Sequence, residues 1–241
     1  MKIIILTIFS CFFSNLTAQS VSNLCIQRVK EFNKINDSRV LPEKSVFYVN
    51  YNQKITMWDK NTPSVSTDVK VWANKYRIKY ITNDIEVYQD NRDVFMIIHS
   101  KKKVIWGQSE MKEGNEAINQ ITKITALKDT LFSLSTIIKC ETIKKENMEL
   151  LRMILKFNGE AREQLSIDQM EYNYDNKTGN VVSVITDFVS SHEVKRMEVH
   201  YLKNENDYKG VKLDRPVSEK IVGKDNLLLP YYKYYQLIDN R

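Results

Sequence analysis

Histidine and cysteine are the residue types with which this sequence could bind a metal or supply a nucleophile, and both are rare in it. Its three histidines are His99, His192 and His200. The last two lie on one predicted strand, which separates them by about 26 Å at roughly 3.3 Å per residue. Ligand spacings typical of zinc or EF-hand sites do not occur. We therefore expect no metal and no cofactor, and we interpret the histidines as surface or half-buried residues.

Motifs of catalytic nucleophiles and phosphate-binding loops are also missing. The sequence contains neither a GxSxG nucleophile elbow nor a GxGxxG loop, and it has only six glycines. A chain with 30 acidic residues offers many possible pairs of carboxylates, so the presence of such a pair is no evidence for a glycosidase. We expect no catalytic residue and a protein that is not an enzyme. A hydrolase with a dispersed site ranks behind the alternatives below.

The N-terminal segment indicates export. Lys2 is followed by the apolar run Ile3–Phe13 and by small and polar residues around Ala18, which is the order of a secretory signal peptide. We predict a signal peptide over residues 1–18 and a mature chain in the periplasm or cell envelope, with secretion as the alternative. A lipoprotein matured at Cys11 is the second interpretation. No later apolar run reaches the roughly 20 residues that a transmembrane helix needs.

Two cysteines, Cys25 and Cys140, remain once the predicted signal peptide is removed. An oxidising compartment permits one disulfide between them. Each cysteine could equally be a small buried hydrophobic residue, because free cysteine packs well in a core. The sequence leaves both alternatives open.

The charge of the chain is positive but mixed. Residues 1–18 contribute only Lys2, so 35 basic and 30 acidic residues remain in the predicted mature chain, a net charge of +5. The two signs are interleaved, which argues against nucleic acid as a partner. A contact with an anionic membrane surface or an acidic partner is compatible with this charge, as is a merely solvated surface. The oligomeric state stays open.

Two stretches have helical periodicity, and most of the remaining pattern is that of short strands. Apolar residues recur at three- and four-residue steps in Ser22–Asn36 and in Glu110–Leu134. Alternating runs joined by turn residues begin at Ser45 and resume after Ser135. This order predicts an α+β fold with one curved antiparallel sheet and two main helices packed on one face. We predict a single domain over residues 19–241 with a C-terminal extension over 204–241.

One predicted strand lacks the alternation of apolar and polar residues that is typical of a sheet with one face exposed to water. Val94–Ile98 is apolar at every position, so both of its faces should be out of water. Three tryptophans fall in the same block of strands. We predict that an apolar ligand binds there, although a shift of one residue in register would exchange the two faces. The predicted ligand-binding residues are Trp58, Trp72, Phe95, Ile97 and Trp106.

The stretch Leu227–Ile238, near the end of the sequence, concentrates leucine, tyrosine and isoleucine. Leaving this apolar area in water would cost roughly 25 cal/mol per Å². The sequence therefore predicts that the segment is docked on the rest of the chain.

The strand segments SVFYVNYNQKITMW and VKVWANKYRIKYITNDIEVYQDNRDVFMII, and the later hairpin MEYNYDNKTGNVVSVITDFV, resemble those of the periplasmic lipoprotein-carrier (LolA/LolB-like) superfamily. The resemblance covers nearly the whole predicted mature chain and rests on element order and hairpin style. The sequence departs from it at Asn83-Asp84, where glycine is usual, and in the long tail beyond Lys203. The resemblance implies an unclosed barrel with helices as a lid over an apolar cavity. It carries over no functional residue.

These observations lead to two expected functions. The first is an exported, non-enzymatic cell-envelope protein that binds a hydrophobic ligand, either a lipid or a lipoprotein acyl chain. The second is an envelope interaction protein that docks onto another protein through its sheet edge or its aromatic tail. Peripheral contact with a membrane is compatible with both.

Overall fold

The computed structural model describes residues 23–34, 45–109, 130–145 and 147–241 of the 241-residue chain. The predicted signal peptide lies outside the described residues. So does most of the second predicted helix, Glu110–Leu134, in which residues 130–133 are helical.

The described strands form one sheet. In chain order they are β1 Phe47–Met57, β2 Val65–Ala73, β3 Ile78–Ile81, β4 Ile85–Gln89, β5 Asp93–Ile98, β6 Lys103–Gln108, β7 Ser135–Lys145, β8 Met148–Phe157, β9 Ile167–Asp175, β10 Val181–Phe188, β11 Val194–Glu205 and β12 Gln236–Asp239. Their order across the sheet is β12-β6-β5-β4-β3-β2-β1-β11-β10-β9-β8-β7. Neighbouring strands are antiparallel except β12, which runs parallel to β6. The predicted curved, open, mainly antiparallel sheet is thereby confirmed.

Short helices lie between and beside the strands. Helix α1 spans 23–34, α2 spans 130–133, α3 is Gly159–Leu165, α4 is Ser218–Ile221, and a 3-10 turn covers Pro230–Tyr232. The dipeptide Asn158-Gly159 is typical of a tight hairpin turn. The chain instead reverses through α3, and Gly159 begins it at a φ of 54°, which glycine adopts without steric cost.

One face of the sheet, called the helix face below, packs against α1. Cys25, Val29 and Phe32 are buried on one side of α1, at the helical spacing that the sequence predicts. They pack on side chains of β8 and β9, namely Leu151, Met153, Leu155, Phe157, Met170, Tyr172 and Tyr174. Leu131 and Phe132 of α2 pack against the same cluster.

The opposite face, called the tail face below, is covered by the chain that follows β11. Val217, Ile221, Val222 and Tyr232 from this C-terminal segment pack on side chains of β4, β5 and β6, namely Tyr88, Phe95, Ile97, Val104 and Trp106. Closer to the middle of the sheet, Leu213 packs on Val46, Tyr48 and Trp72. The sequence predicts both main helices on one face. It does not predict that the chain after β11, which includes the short helix α4, covers the other.

The docking of the predicted tail segment is confirmed. Tyr232 is buried, and Gln236–Asp239 adds β12 to the sheet by pairing with Lys103–Trp106 of β6. Tyr235 remains half-buried against the same cluster. The segment therefore completes both the core of the tail face and one end of the sheet.

Candidate functional site

The five residues predicted to bind a ligand do not form one site. Phe95, Ile97 and Trp106 are buried together beneath the C-terminal segment, and Trp72 is buried in the neighbouring cluster with Leu213. Trp58 lies apart, just beyond the end of β1, where its indole N–H donates to the carbonyl oxygen of Val189 at 3.1 Å. Ligand binding at these five residues stays a prediction, and at the four buried ones it would require displacement of part of the C-terminal segment.

The helix face of the same strands carries a different set of apolar side chains. In an antiparallel pair, residues directly opposite each other point to the same face of the sheet. Successive pairs from β1 to β6 define one continuous line, called the apolar row below: Val49, Val71, Tyr80, Val87, Met96 and Ile105. At the usual spacing between strands, the row is about 24 Å long.

The side chains of the apolar row are neither all buried nor all exposed. Val49 is buried, Met96 is 38% exposed, and the other four side chains lie between these values. In the part of the chain that the structure describes, neither the cluster around α1 nor the clusters under the C-terminal segment include any of the six. The row therefore offers a strip of apolar surface to something other than those elements.

Tyrosines flank the row where β1 meets β11. Tyr51 pairs with Tyr201, and their ring centroids lie 5.8 Å apart. Burial raises the pKa of Tyr51 to about 12, and Tyr80 and Tyr201 add to the effect. Burial also raises the pKa of Tyr201. These phenols stay neutral at ordinary pH, so they combine an apolar ring with a hydroxyl that can orient a polar group of a ligand.

Sequence reasoning missed a polar network that holds the C-terminal segment. The hydroxyl of Tyr88 donates to Oε2 of Glu86 at 2.6 Å, and Oε1 of Glu86 lies 3.0 Å from Nε2 of His99. Nδ1 of the same imidazole lies 2.8 Å from the hydroxyl of Tyr235. Burial, together with Glu86, raises the pKa of Tyr88. Both ring nitrogens of His99 are engaged in tying the tail to the sheet, so its geometry is that of a structural residue.

The two cysteines that the sequence left open are joined in the structure. Cys25 of α1 and Cys140 of β7 form a disulfide with their Cα atoms 6.2 Å apart. Because β7 is an outer strand of the sheet, the bond fastens α1 to that end. This structural bond is sufficient to explain why the two cysteines lie where they do.

Neither a metal site nor a membrane-spanning helix is present among the described residues. They contain no cluster of three or more His, Cys, Asp or Glu side chains that could hold a metal ion. None of the helices among them is long and apolar enough to cross a bilayer.

No protein-family model matches the sequence, and no curated protein matches it significantly. Solved structures similar to the chain include an uncharacterized conserved protein from Thermus thermophilus, with 6% identity over 91% of this chain and 99% of that one, at a TM-score of 0.41. They also include a LolA superfamily protein from Nitrosomonas europaea, with 11% identity over 83% of this chain and 99% of that one, at a TM-score of 0.33.

A third similar structure is a putative outer membrane lipoprotein-sorting protein domain from Vibrio parahaemolyticus. It shares 9% identity over 77% of this chain and 93% of that one, at a TM-score of 0.27. One of these structures, that from Nitrosomonas europaea, is described as a member of the superfamily that the sequence resembles. With TM-scores of 0.27 to 0.41 for the three structures, we infer no function from them.

Proposed function

We propose that the protein is an exported, non-enzymatic cell-envelope protein that binds a hydrophobic ligand, a lipid or a lipoprotein acyl chain, along the apolar row. The observation that carries this proposal is the unbroken pairing of six apolar side chains across β1 to β6, among which the Met96 side chain is 38% exposed. Contiguous apolar strips of this kind are typical of binding surfaces.

The two faces of β5 differ in what covers them, and the difference supports this placement. Phe95 and Ile97 on the tail face are already sealed by the chain's own C-terminal segment. Met96, on the helix face of the same strand, retains apolar area that a ligand could remove from water, at roughly 25 cal/mol per Å². The apolar ligand predicted from this strand is therefore proposed to lie on the face opposite to Phe95 and Ile97.

Binding of a fluorescent polyene fatty acid to the mature chain tests the proposal. We expect saturable binding below the critical micelle concentration of the probe. Met96→Asp should weaken it by at least about tenfold, because a carboxylate buried against an acyl chain loses its hydration. Met148→Asp is the matched control, since Met148 is also a strand methionine, is 41% exposed, and lines a separate cavity with Leu202 and His200. Absence of saturable binding, or equal weakening by both substitutions, would contradict the proposal.

A protein partner remains the second candidate function, and one observation favours it. Strand β7 is the outer strand at one end of the sheet, and its Ile138 side chain is largely exposed. Such an edge can pair with an extended segment of another chain. Native mass spectrometry of the protein isolated from its own envelope separates the candidates. A bound lipid mass supports the first proposal, and a stoichiometric protein partner supports the second.

A further inference from the structure

Basic side chains converge on the tail face where the C-terminal segment crosses β3. Lys79 belongs to β3 and faces the segment, since it pairs with Trp72 on one side and Tyr88 on the other. Arg77 lies just before this strand, and Arg215 and Lys220 belong to the segment itself. The four residues Arg77, Lys79, Arg215 and Lys220 are called the cationic cluster below.

Hydrogen bonds bring two of these groups to neighbouring residues of the segment, since Nζ of Lys220 donates to the carbonyl oxygen of Lys212 at 3.5 Å. Nη1 of Arg77 donates to the carbonyl oxygen of Leu213 at 2.9 Å, which brings the guanidinium against the segment. Burial lowers the pKa of Lys220, Lys79 lowers it further, and Arg77 and Arg215 act in the same direction while Asp214 opposes them. Several positive charges therefore act on one partly buried ammonium group.

Within the described residues, Asp214 acts against the positive charge of the cluster without forming an ion pair with it. None of its four members forms an ion pair there, although Lys209 nearby pairs with Asp207 at 2.6 Å. Nε of Arg77 is buried without a hydrogen-bond partner. One buried donor and the unpaired positive charge of the cluster are therefore unused, an arrangement that is unfavourable in the absence of an anion.

Lys79 is held in place by aromatic rings and not by an acid. Its Nζ lies 5.2 Å from the ring centroid of Trp72 and 5.3 Å from that of Tyr88. Cation–π contacts of this kind fix the position of an ammonium group while leaving its charge uncompensated. The ammonium therefore stays available to a negatively charged ligand.

A cavity adjoins the cluster. It has a volume of about 550 Å³ and is lined by the basic residues Arg77, Lys209 and Lys212, by the acidic residues Asp207 and Asp214, and by Ser45, Val46, Asn74, Tyr208, Val211 and Leu213. Asp207 is already paired with Lys209 at 2.6 Å. Arg77 is the link between the two features, because it belongs to the cluster and also lines the cavity. The cavity is large enough to admit a small anionic group and its immediate substituent.

We propose that the cationic cluster is a binding site for the phosphate group of an anionic ligand. A phosphate supplies the negative charge that the cluster lacks, and it accepts hydrogen bonds from both guanidinium and ammonium groups. The ligand is either a free phosphate ester or a lipid whose phosphate headgroup enters the site. The site lies on the tail face, so it is separate from the apolar row and does not depend on the function proposed for that row.

Calorimetric titration of the mature chain with inorganic phosphate, at constant ionic strength, tests the site itself. We expect saturable binding that Lys220→Gln and Lys79→Gln each weaken by about tenfold, as loss of a charge-assisted contact predicts. Lys60→Gln is the control, because it removes the same charge from an exposed turn after β1. Circular dichroism identifies any variant that fails to fold, and Lys220→Gln retains the cation–π contacts of Lys79.

Sedimentation with vesicles distinguishes the two sources of phosphate. The vesicles are phosphatidylcholine alone, or phosphatidylcholine mixed with phosphatidylglycerol. Binding of inorganic phosphate without vesicle binding supports a free phosphate ester. Binding to the anionic vesicles that Lys220→Gln weakens and Lys60→Gln does not supports a lipid headgroup. Binding of neither probe, or equal effects of Lys220→Gln and Lys60→Gln, would overturn the proposal.

Discussion

Phe95 and Met96 are consecutive residues of β5 that serve opposite faces of the sheet. Phe95 is fully buried, its ring stacked on that of Trp106 with centroids 4.8 Å apart, whereas Met96 is 38% exposed within the apolar row. The unbroken apolar run Val94–Ile98 therefore has two different explanations. One face meets the C-terminal segment, and the other presents apolar surface at the place where we propose that a ligand binds.

Aspartate substitutions at two successive positions of β5 should affect stability very differently. Ile97→Asp places a lone charge in the cluster beneath the C-terminal segment, so we expect loss of the folded state or a destabilisation of at least about 3 kcal/mol. Met96→Asp places its charge where water can reach it, and we expect a change of about 1 kcal/mol or less. Urea unfolding followed by circular dichroism measures both. Equal destabilisation would show that the two faces are equally sealed.

The C-terminal segment should contribute through its buried tyrosine and not through its exposed ones. Tyr232 is buried against the tail face, while its neighbour Tyr231 is 79% exposed. Truncation of a large buried side chain typically costs about 3–5 kcal/mol, so Tyr232→Ala should lower the melting temperature strongly. Tyr231→Ala should change stability by less than about 0.5 kcal/mol. A melting curve of Tyr232→Ala that matches the wild type would contradict the docking of the segment.

The disulfide between Cys25 and Cys140 should stabilise the fold by cross-linking residues 115 positions apart in sequence. Removing a native disulfide typically costs about 2–4 kcal/mol, because the unfolded chain regains conformational freedom. We expect reductant to lower the melting temperature of residues 19–241. The double variant Cys25→Ala/Cys140→Ala should melt at the lower temperature whether or not reductant is present. A wild-type protein that melts at the same temperature when its thiols are shown to be free would refute this expectation.

Local periodicity in the sequence was sufficient to predict several elements. The buried positions Cys25, Val29 and Phe32 follow directly from the helical spacing, since one side of an amphipathic helix must face the core. The hairpins of the sheet follow from alternating runs separated by turn residues. These features depend on neighbours in sequence, and such patterns are readable without knowledge of the fold.

The face on which each strand residue lies could not be predicted in the same way. Val94–Ile98 is apolar throughout, so its periodicity does not say which residues meet the C-terminal segment. Large side chains were favoured as ligand contacts, and size selected Phe95, Ile97 and Trp106, which the chain itself covers. The parallel pairing of β12 with β6 joins segments more than 130 residues apart, and local pattern carries no information about it.

Alkaline unfolding should report the burial of Tyr172, and its direction follows from the pKa. Burial raises the pKa of Tyr172 from 10.0 to about 12, and the coulombic effect of Tyr201 adds to it. In the unfolded chain the phenol ionises near pH 10, so the unfolded state releases its proton first. The stabilisation from the neutral, buried phenol is fully present below pH 10 and is lost as the pH rises towards 12.

The shift of about two pKa units corresponds to about 3 kcal/mol in all, since each unit is worth about 1.4 kcal/mol, and about 2 kcal/mol of it should be lost between pH 10 and pH 12. Tyr172→Phe keeps the ring that stacks on Phe132, with centroids 5.7 Å apart, but has no proton to release. Its stability should therefore fall less steeply over this range than that of the wild type. Tyr231→Phe is the control, because the Tyr231 phenol is exposed in the folded protein. Urea midpoints measured at intervals of pH give the slopes. If Tyr172→Phe and the wild type lose stability in parallel, Tyr172 is open to solvent, and the packing of α1 and α2 on the helix face would have to be revised.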